Sequence, residues 1–323
     1  MPSRRLFGIK EENMSFKKIG DIPVNGKEST VVSVLRLREA TTAAKSTYVV
    51  MTLSDGDQVI DAKMWNRCLD NMTCQEGELI WAELARSIYN DADSWEVRKI
   101  SPAPAGLRFE DFVKSAPYPG DIMWRNLTSI LAKQGDTPCT RMAMDLLEAN
   151  KEKFLKWPAA KSIHHNYYGG LLFHTLRVVV STEAICRTYR LDAQLAVSAA
   201  AIHDIGKVRE LESDVTGSGD YGEDGIAFGH LQLGLEMIAE MAAIHPDRYS
   251  MEDLKWLRHI IASHHGKPEW GAIASPCIPE AWAVHYADAL DANMTIMEEG
   301  LKEILPGHYG YKQGLGGRIY RRP

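Results

Sequence analysis

Ala199-Ala200-Ala201-Ile202-His203-Asp204-Ile205-Gly206-Lys207 sets an imidazole and a carboxylate side by side at the end of a small apolar run that starts near Leu195 and Val197. Burying that run draws both polar groups toward the interior, where an isolated charge is unfavourable unless it is paired or bound to a metal. Metal ligation satisfies both groups at once. A lysine three positions after the aspartate lies about one helical turn on and shares its face.

The chain has 323 residues, long enough for two domains or one large one, and its 45% hydrophobic and 25% charged content is that of a globular protein. No apolar run approaches the roughly 20 residues of a membrane-spanning helix. Met1-Pro2-Ser3-Arg4-Arg5-Leu6-Phe7 lacks an apolar core of signal-peptide length, so a cytoplasmic protein without membrane association is expected. Five dispersed cysteines with no CxxC pair point to reduced thiols rather than a disulfide framework or a zinc-thiolate site. A net charge of −6 removes bulk attraction for nucleic acid, so such binding has to rest on local patches.

Outward from the pair, the chain divides into two textures. Residues 1–14 read as a tail. Residues 15–105 carry five short β-type runs: Val31–Leu35, Tyr48–Leu53, Val59–Trp65, Leu79–Ile88 and Trp95–Ile100, with turn signals such as Ser54-Asp55-Gly56-Asp57 between them. Five strands in this length suit an oligonucleotide-binding (OB) barrel. A Pro- and Gly-containing linker is expected over 106–120. Beyond it, 3.6-residue apolar spacing predicts helices at about 121–134, 138–154, 170–189, 193–209, 229–243, 251–264 and 279–299, interrupted by a Gly/Asp-rich loop over 213–228. Residues 309–323 form a basic and aromatic C-terminal tail. The predicted fold class is α+β multidomain: an N-terminal five-stranded barrel followed by an all-α helical bundle over 121–308.

All eleven histidines fall at or beyond His164, in the helical half. Imidazole with carboxylate suits Mn, Fe, Co, Ni or Zn better than an all-oxygen Mg site. The order His174, His203-Asp204, Lys207, His230, His264-His265, Asp288 resembles the HD superfamily of metal-dependent phosphohydrolases. Gly169-Gly170-Leu171-Leu172-Phe173-His174-Thr175-Leu176, Ser263-His264-His265-Gly266 and His285-Tyr286-Ala287-Asp288 look like one branch of it, the YhaM-type 3′-to-5′ exoribonucleases, which carry an OB domain before the HD domain.

The resemblance implies a metal held by His174, His203, Asp204 and Asp288. It implies a second held by His230, His264 and His265, with Asp204 as bridge. Mn is the leading metal, with Fe, Co, Ni and Mg as alternatives. Two cations sharing a carboxylate can acidify a water and clamp a phosphodiester. Asp204 and Lys207 are the expected catalytic residues, Lys207 neutralising charge on the scissile phosphate. Phe173 departs from the pattern, since the family often has a glutamate there. Asp291 is a runner-up to Asp288 on the same helix face.

Alternation in the barrel puts Val49, Met51 and Leu53 inside and leaves Tyr48, Lys63 and Trp65 outside, as a platform for stacking bases or as packing against the helical part. His165, beside Tyr167 and Tyr168, is read as a substrate contact, with helix-entry structure as the alternative. In the C-terminal run, Arg318 with Arg321 and Arg322 is read as a phosphate contact, or as part of a docked or frayed tail. The leading function is a metal-dependent exoribonuclease acting on single-stranded RNA, with DNA and homo-oligomerisation left open. The alternatives are an HD phosphohydrolase of mononucleotides or cyclic dinucleotides, and a nucleic-acid-binding module with a structural metal centre.

Overall fold

The computed structural model describes residues 16–161, 165–215, 217 and 219–323. The tail expected over 1–14 lies outside them. Two compact units divide at Val113/Lys114.

The first unit is a closed barrel of β1 (Lys27–Thr41), β2 (Thr47–Ser54), β3 (Val59–Trp65), β4 (Leu79–Tyr89) and β5 (Ala92–Pro102), ordered β1-β2-β3-β5-β4. All pairings are antiparallel except β3 with β5, where the barrel closes. The long β1 serves two neighbours, pairing with β4 through Ser33 and with β2 beyond it. A register shift between Val34 and Arg36 accompanies that change of partner, as bulges do at barrel corners. Period-2 alternation fills the interior with Val49, Met51, Leu53, Ala62, Met64, Leu84 and Val97. Residues expected in the linker belong partly to this unit. Ser33 Oγ donates to the carbonyl of Phe112 at 2.9 Å, and the Phe112 ring lies 6.1 Å from that of Phe16.

The second unit is helical: α1 (Gly120–Ala132), α2 (Pro138–Ala149), α3 (Lys151–Lys156), α4 (Gly170–Tyr189), α5 (Ala193–Ile202), α6 (Lys207–Glu210), α7 (Glu223–Ile244), α8 (Lys255–Ser263) and α9 (Pro279–Lys302). Local chemistry starts two of these helices. The Thr137 side chain accepts from Thr140 N ahead of Pro138, and Asp192 accepts from Leu195 N. The α5 helix is the core of the bundle, buried from Ala196 through Ile202. Its run of alanines lets α2, α4, α8 and α9 pack closely around it.

Four sequence expectations change here. The helix expected over 193–209 stops at Ile202, turns through 203–206 and resumes as α6. The helix expected from 229 starts at Glu223 and bends at Gly229, which adopts φ 71°. The loop expected over 213–228 contains β7 (Gly219–Tyr221), paired with β6 (Leu211–Ser213). The C-terminal run is docked rather than frayed, and it is folded. β8 (Tyr309–Lys312) and β9 (Gly317–Tyr320) form a hairpin, with Ile319 buried, Lys312 paired to Glu303 at 2.6 Å, and Arg321 donating to the carbonyls of Leu301 and Ile304. The bundle is therefore not purely α.

The turn after Ile202 exists because α7 crosses it. A Cβ added to Gly206 would sit 1.9 Å from the carbonyl oxygen of His230. Gly206 has ordinary αR dihedrals, so conformational entropy alone would make Gly206→Ala stabilising by about 0.4–1 kcal/mol. The contact predicts the reverse: a clear fall in unfolding midpoint in thermal and denaturant melts, since neither backbone can yield.

Candidate metal centre

The buried end of α5 delivers His203 and Asp204, both essentially inaccessible to solvent. Around them stand His174 from α4, His230 just past the α7 bend, His264 and His265 at the C-terminal end of α8, and Asp288 from α9. All seven residues expected as metal ligands thus meet in one place.

Each imidazole is anchored through Nδ1. His203 donates to Ala200 O at 2.8 Å, His264 to Ile261 O at 2.9 Å and His265 to Trp270 O at 3.0 Å. His230 Nδ1 meets Glu210 at 3.0 Å, and His174 Nδ1 meets Asp291 at 2.7 Å. A nitrogen bonded to a carbonyl must carry the proton, so the opposite nitrogen, Nε2, presents a lone pair. Those nitrogens converge. His174 Nε2 lies 3.1 Å from His203 Nε2, and His230 Nε2 lies 3.2 Å from His265 Nε2.

Two lone pairs at that distance repel unless a proton or a metal ion lies between them. Two nitrogens each about 2.1 Å from one ion at a right angle lie about 3 Å apart. His264 Nε2 is buried without any hydrogen-bond partner, an unfavourable state for a polar atom unless a ligand claims it. The donor set therefore fits a divalent transition-metal ion. Among the described residues four overlapping triads of donor atoms lie close enough together to hold one: His174/His203/Asp288, His203/Asp204/His264, His230/His264/His265 and His165/His174/Asp291.

Asp204 faces both sides of the cluster. Its Oδ2 is 3.4 Å from His174 and 3.3 Å from His203, and its Oδ1 is 3.5 Å from His230 and 3.7 Å from His264. Lys207 Nζ sits 2.7 Å from Oδ2. Burial alone would raise the Asp204 carboxyl, but Lys207, His203 and His174 hold it well below its usual range. Burial opposes a charge on His174, yet hydrogen bonds to Asp204, Asp288 and Asp291 outweigh it and keep the imidazole well above its ordinary value. Burial, with His264 and His230 nearby, pulls His265 down to about 3.

Asp291, not the position held by Phe173, supplies the carboxylate that orients His174, and it is itself gripped by Arg177 at 2.5 Å. His165 is corrected here. It is wholly buried, bonded to Tyr167 Oη at 2.6 Å, Asp291 at 2.8 Å and Thr295 at 2.9 Å, so it braces Asp291 and presents no exposed face. Phe173 packs edge-on against His165 and under the Arg177 guanidinium. Glu210 was not anticipated, since nothing in its neighbourhood marks it. It holds both the ring and the backbone N–H of His230.

In the barrel unit Tyr48 and Trp65 are cross-strand partners with rings 4.9 Å apart, and Lys63 Nζ lies 6.0 and 5.6 Å from them. Trp65 is 42% exposed. Arg318 lies in the C-terminal hairpin with its guanidinium 5.4 Å over Tyr309.

The helical bundle that converges these His and Asp donors contains an HD domain, since residues 171–293 match the HD domain family. The chain belongs to the YhaM family. It is 30% identical to the 3′-5′ exoribonuclease YhaM of Bacillus licheniformis over 85% of this chain and 88% of that one. It is 30% identical to the protein of that name from Bacillus subtilis (81% and 83% covered) and 29% identical to that from Halalkalibacterium halodurans (90% and 92%).

Asp291→Asn removes a charge behind His174 and leaves the seven expected ligands in place, and is expected to weaken Mn²⁺ binding about 10- to 100-fold in calorimetric titration. Because the raised His174 favours a proton that a cation must displace, Mn²⁺ affinity in the same titration should tighten as pH rises and weaken on acidification.

Proposed function

We propose that this protein is a metal-dependent 3′-to-5′ exoribonuclease, hydrolysing single-stranded RNA to nucleoside 5′-monophosphates. The observation that carries the reading is Asp204, one buried carboxylate whose two oxygens face two sets of imidazole nitrogens. The similarity to proteins named 3′-5′ exoribonuclease, over most of both chains, supports the polarity and the substrate.

We assign His174, His203, Asp204 and Asp288 to one divalent cation and His230, His264 and His265 to a second, with Asp204 between them. Mn is the first choice, then Fe, Co, Ni or Mg. Cations held there would supply Lewis acidity toward the phosphoryl oxygens and lower the pKa of a water. The chain's own residues do the rest. The Nδ1 anchors keep every imidazole aimed inward and in the metal-accepting tautomer. Asp291 and Glu210 add negative charge behind His174 and His230. Lys207 offsets the charge of Asp204 and adds a fixed positive charge beside the cluster, where phosphate charge grows in the transition state.

In the barrel, Tyr48 and Trp65 offer ring faces to successive bases and Lys63 a cation to the backbone, a combination that reads no particular sequence. DNA, with the same bases and phosphates, is a second candidate substrate. Five free cysteines and an RNA substrate fit a reducing cytoplasm. Among the described residues no helix is long and apolar enough to cross a membrane.

With Mn²⁺, 5′-labelled single-stranded RNA should ladder, while the 3′-labelled strand releases labelled monomer at once. Cleavage confined to mononucleotides or cyclic dinucleotides would overturn the reading, as would binding without hydrolysis. Asp204→Ala should lower the rate by roughly a hundred- to a thousandfold. Trp65→Ala should raise KM for long RNA about tenfold at unchanged kcat, the loss of one stacked base.

A further inference from the structure

Trp270 is 59% exposed, yet it stands on a tightly tied loop next to the donor cluster. Within the loop, Trp270 N–H donates to Lys267 O and Gly271 N–H to Pro268 O, both at 2.9 Å. Ile273 and Ala274 N–H tie it to the carbonyl of Ala262 at the end of α8. The Trp270 carbonyl is the acceptor that anchors His265 Nδ1 at 3.0 Å. The opposite nitrogen of that ring lies 3.2 Å from His230 Nε2. The backbone of Trp270 is therefore one imidazole ring away from the donors.

The indole orientation is also held. The His285 ring lies near-parallel to it at 6.1 Å and 21°, and His285 is pinned by its Nδ1 to the carbonyl of His264 at 2.7 Å. The Lys267 ammonium rests 4.9 Å over the indole. A surface cation on an indole accounts for that contact. It does not account for a loop that spends several hydrogen bonds displaying a large ring at the edge of a metal-binding cluster. An exposed aromatic face with a cation beside it is the pairing by which single strands are held, the ring taking a base and the ammonium a phosphate. A terminal nucleotide with its phosphate at the His/Asp cluster has its base within reach of a neighbouring side chain.

We propose that Trp270 is the stacking floor for the 3′-terminal nucleobase, with Lys267 moving from the ring to the adjoining phosphate. The inference rests on the exoribonuclease reading above and adds to it the residue that seats the terminal nucleotide. Stacking is indifferent to base identity, as an enzyme that removes every nucleotide in turn requires.

The test compares the wild-type full chain with Trp270→Ala, Trp270→Phe and, as an exposed-tryptophan control, Trp256→Ala. Binding of AMP and of ribose 5-phosphate is measured by calorimetry in the presence of Mn²⁺, and RNA hydrolysis is followed alongside. Wild type should favour AMP over ribose 5-phosphate by about tenfold, the contribution of one stacked base. Trp270→Ala should abolish that preference and raise KM for RNA, Trp270→Phe should restore most of both, and Trp256→Ala should match wild type. Metal content should be equal in all four, because the carbonyl holding His265 is backbone. An AMP preference that survives Trp270→Ala, or that is missing from wild type, overturns the proposal. A wild-type protein that fails to shorten RNA yet shows a Trp270-dependent AMP preference overturns the exonuclease reading and leaves this subsite standing.

Discussion

The structure depends on a carboxylate and an imidazole buried at the end of a helix whose last two turns have no solvent face. With every residue from Ala196 to Ile202 packed, α5 can only release His203 and Asp204 into the interior of the bundle. An interior carboxylate has to be met by opposite charge or hydrogen bonds, and the surrounding elements are arranged to do so. α4 and α9 contribute from within their length, α7 contributes at a bend, and α8 contributes where it ends. Lys207, one turn on from Asp204, is positioned by the same break in the helix that follows the pair.

The cluster is held from behind as firmly as from the front. Three of the five imidazoles are aligned by backbone carbonyls, which cannot titrate and barely move, and two by carboxylates that also add negative charge. Asp204, Asp288, Asp291 and Glu210 are faced by Lys207 and Arg177, so the region carries more carboxylate than permanent cation. That surplus explains why His174 holds a proton so readily, and it is the same field that favours a divalent ion. Asp291 links the two layers: His174, His165 and Arg177 all meet on it.

Much of this was legible without coordinates. Runs of β-type residues between turn signals marked all five strands of the barrel, and alternation set the inner faces of the second and third. The seven donor residues were legible as an ordered set through family resemblance. What escaped were features made by contacts between distant segments. No local pattern distinguishes a continuous helix over 193–209 from two pieces split at 203–206, since the split answers to α7 crossing at Gly206. Glu210 looks like any surface glutamate until α7 brings His230 onto it. His165 looked like a substrate contact because its neighbours are aromatic, whereas its partners are Asp291 and Thr295, more than a hundred residues away. The basic C-terminal run read as a tail because its pairing energy lies between β8 and β9 and in Ile319, not in any run of apolar residues.

The sequence by itself determined the barrel alternation and the apolar helix that carries His203 and Asp204, which follow from residue type and short-range spacing, while the candidate donors were legible through family resemblance. Only the tertiary structure decided which nitrogen of each histidine faces inward, that Asp204 addresses both nitrogen groups, that His165 lies behind the site, and that Trp270 lies beside it. The physical reason is that a tautomer, a shared carboxylate and a displayed ring are set by hydrogen-bond partners brought together from separate helices and loops.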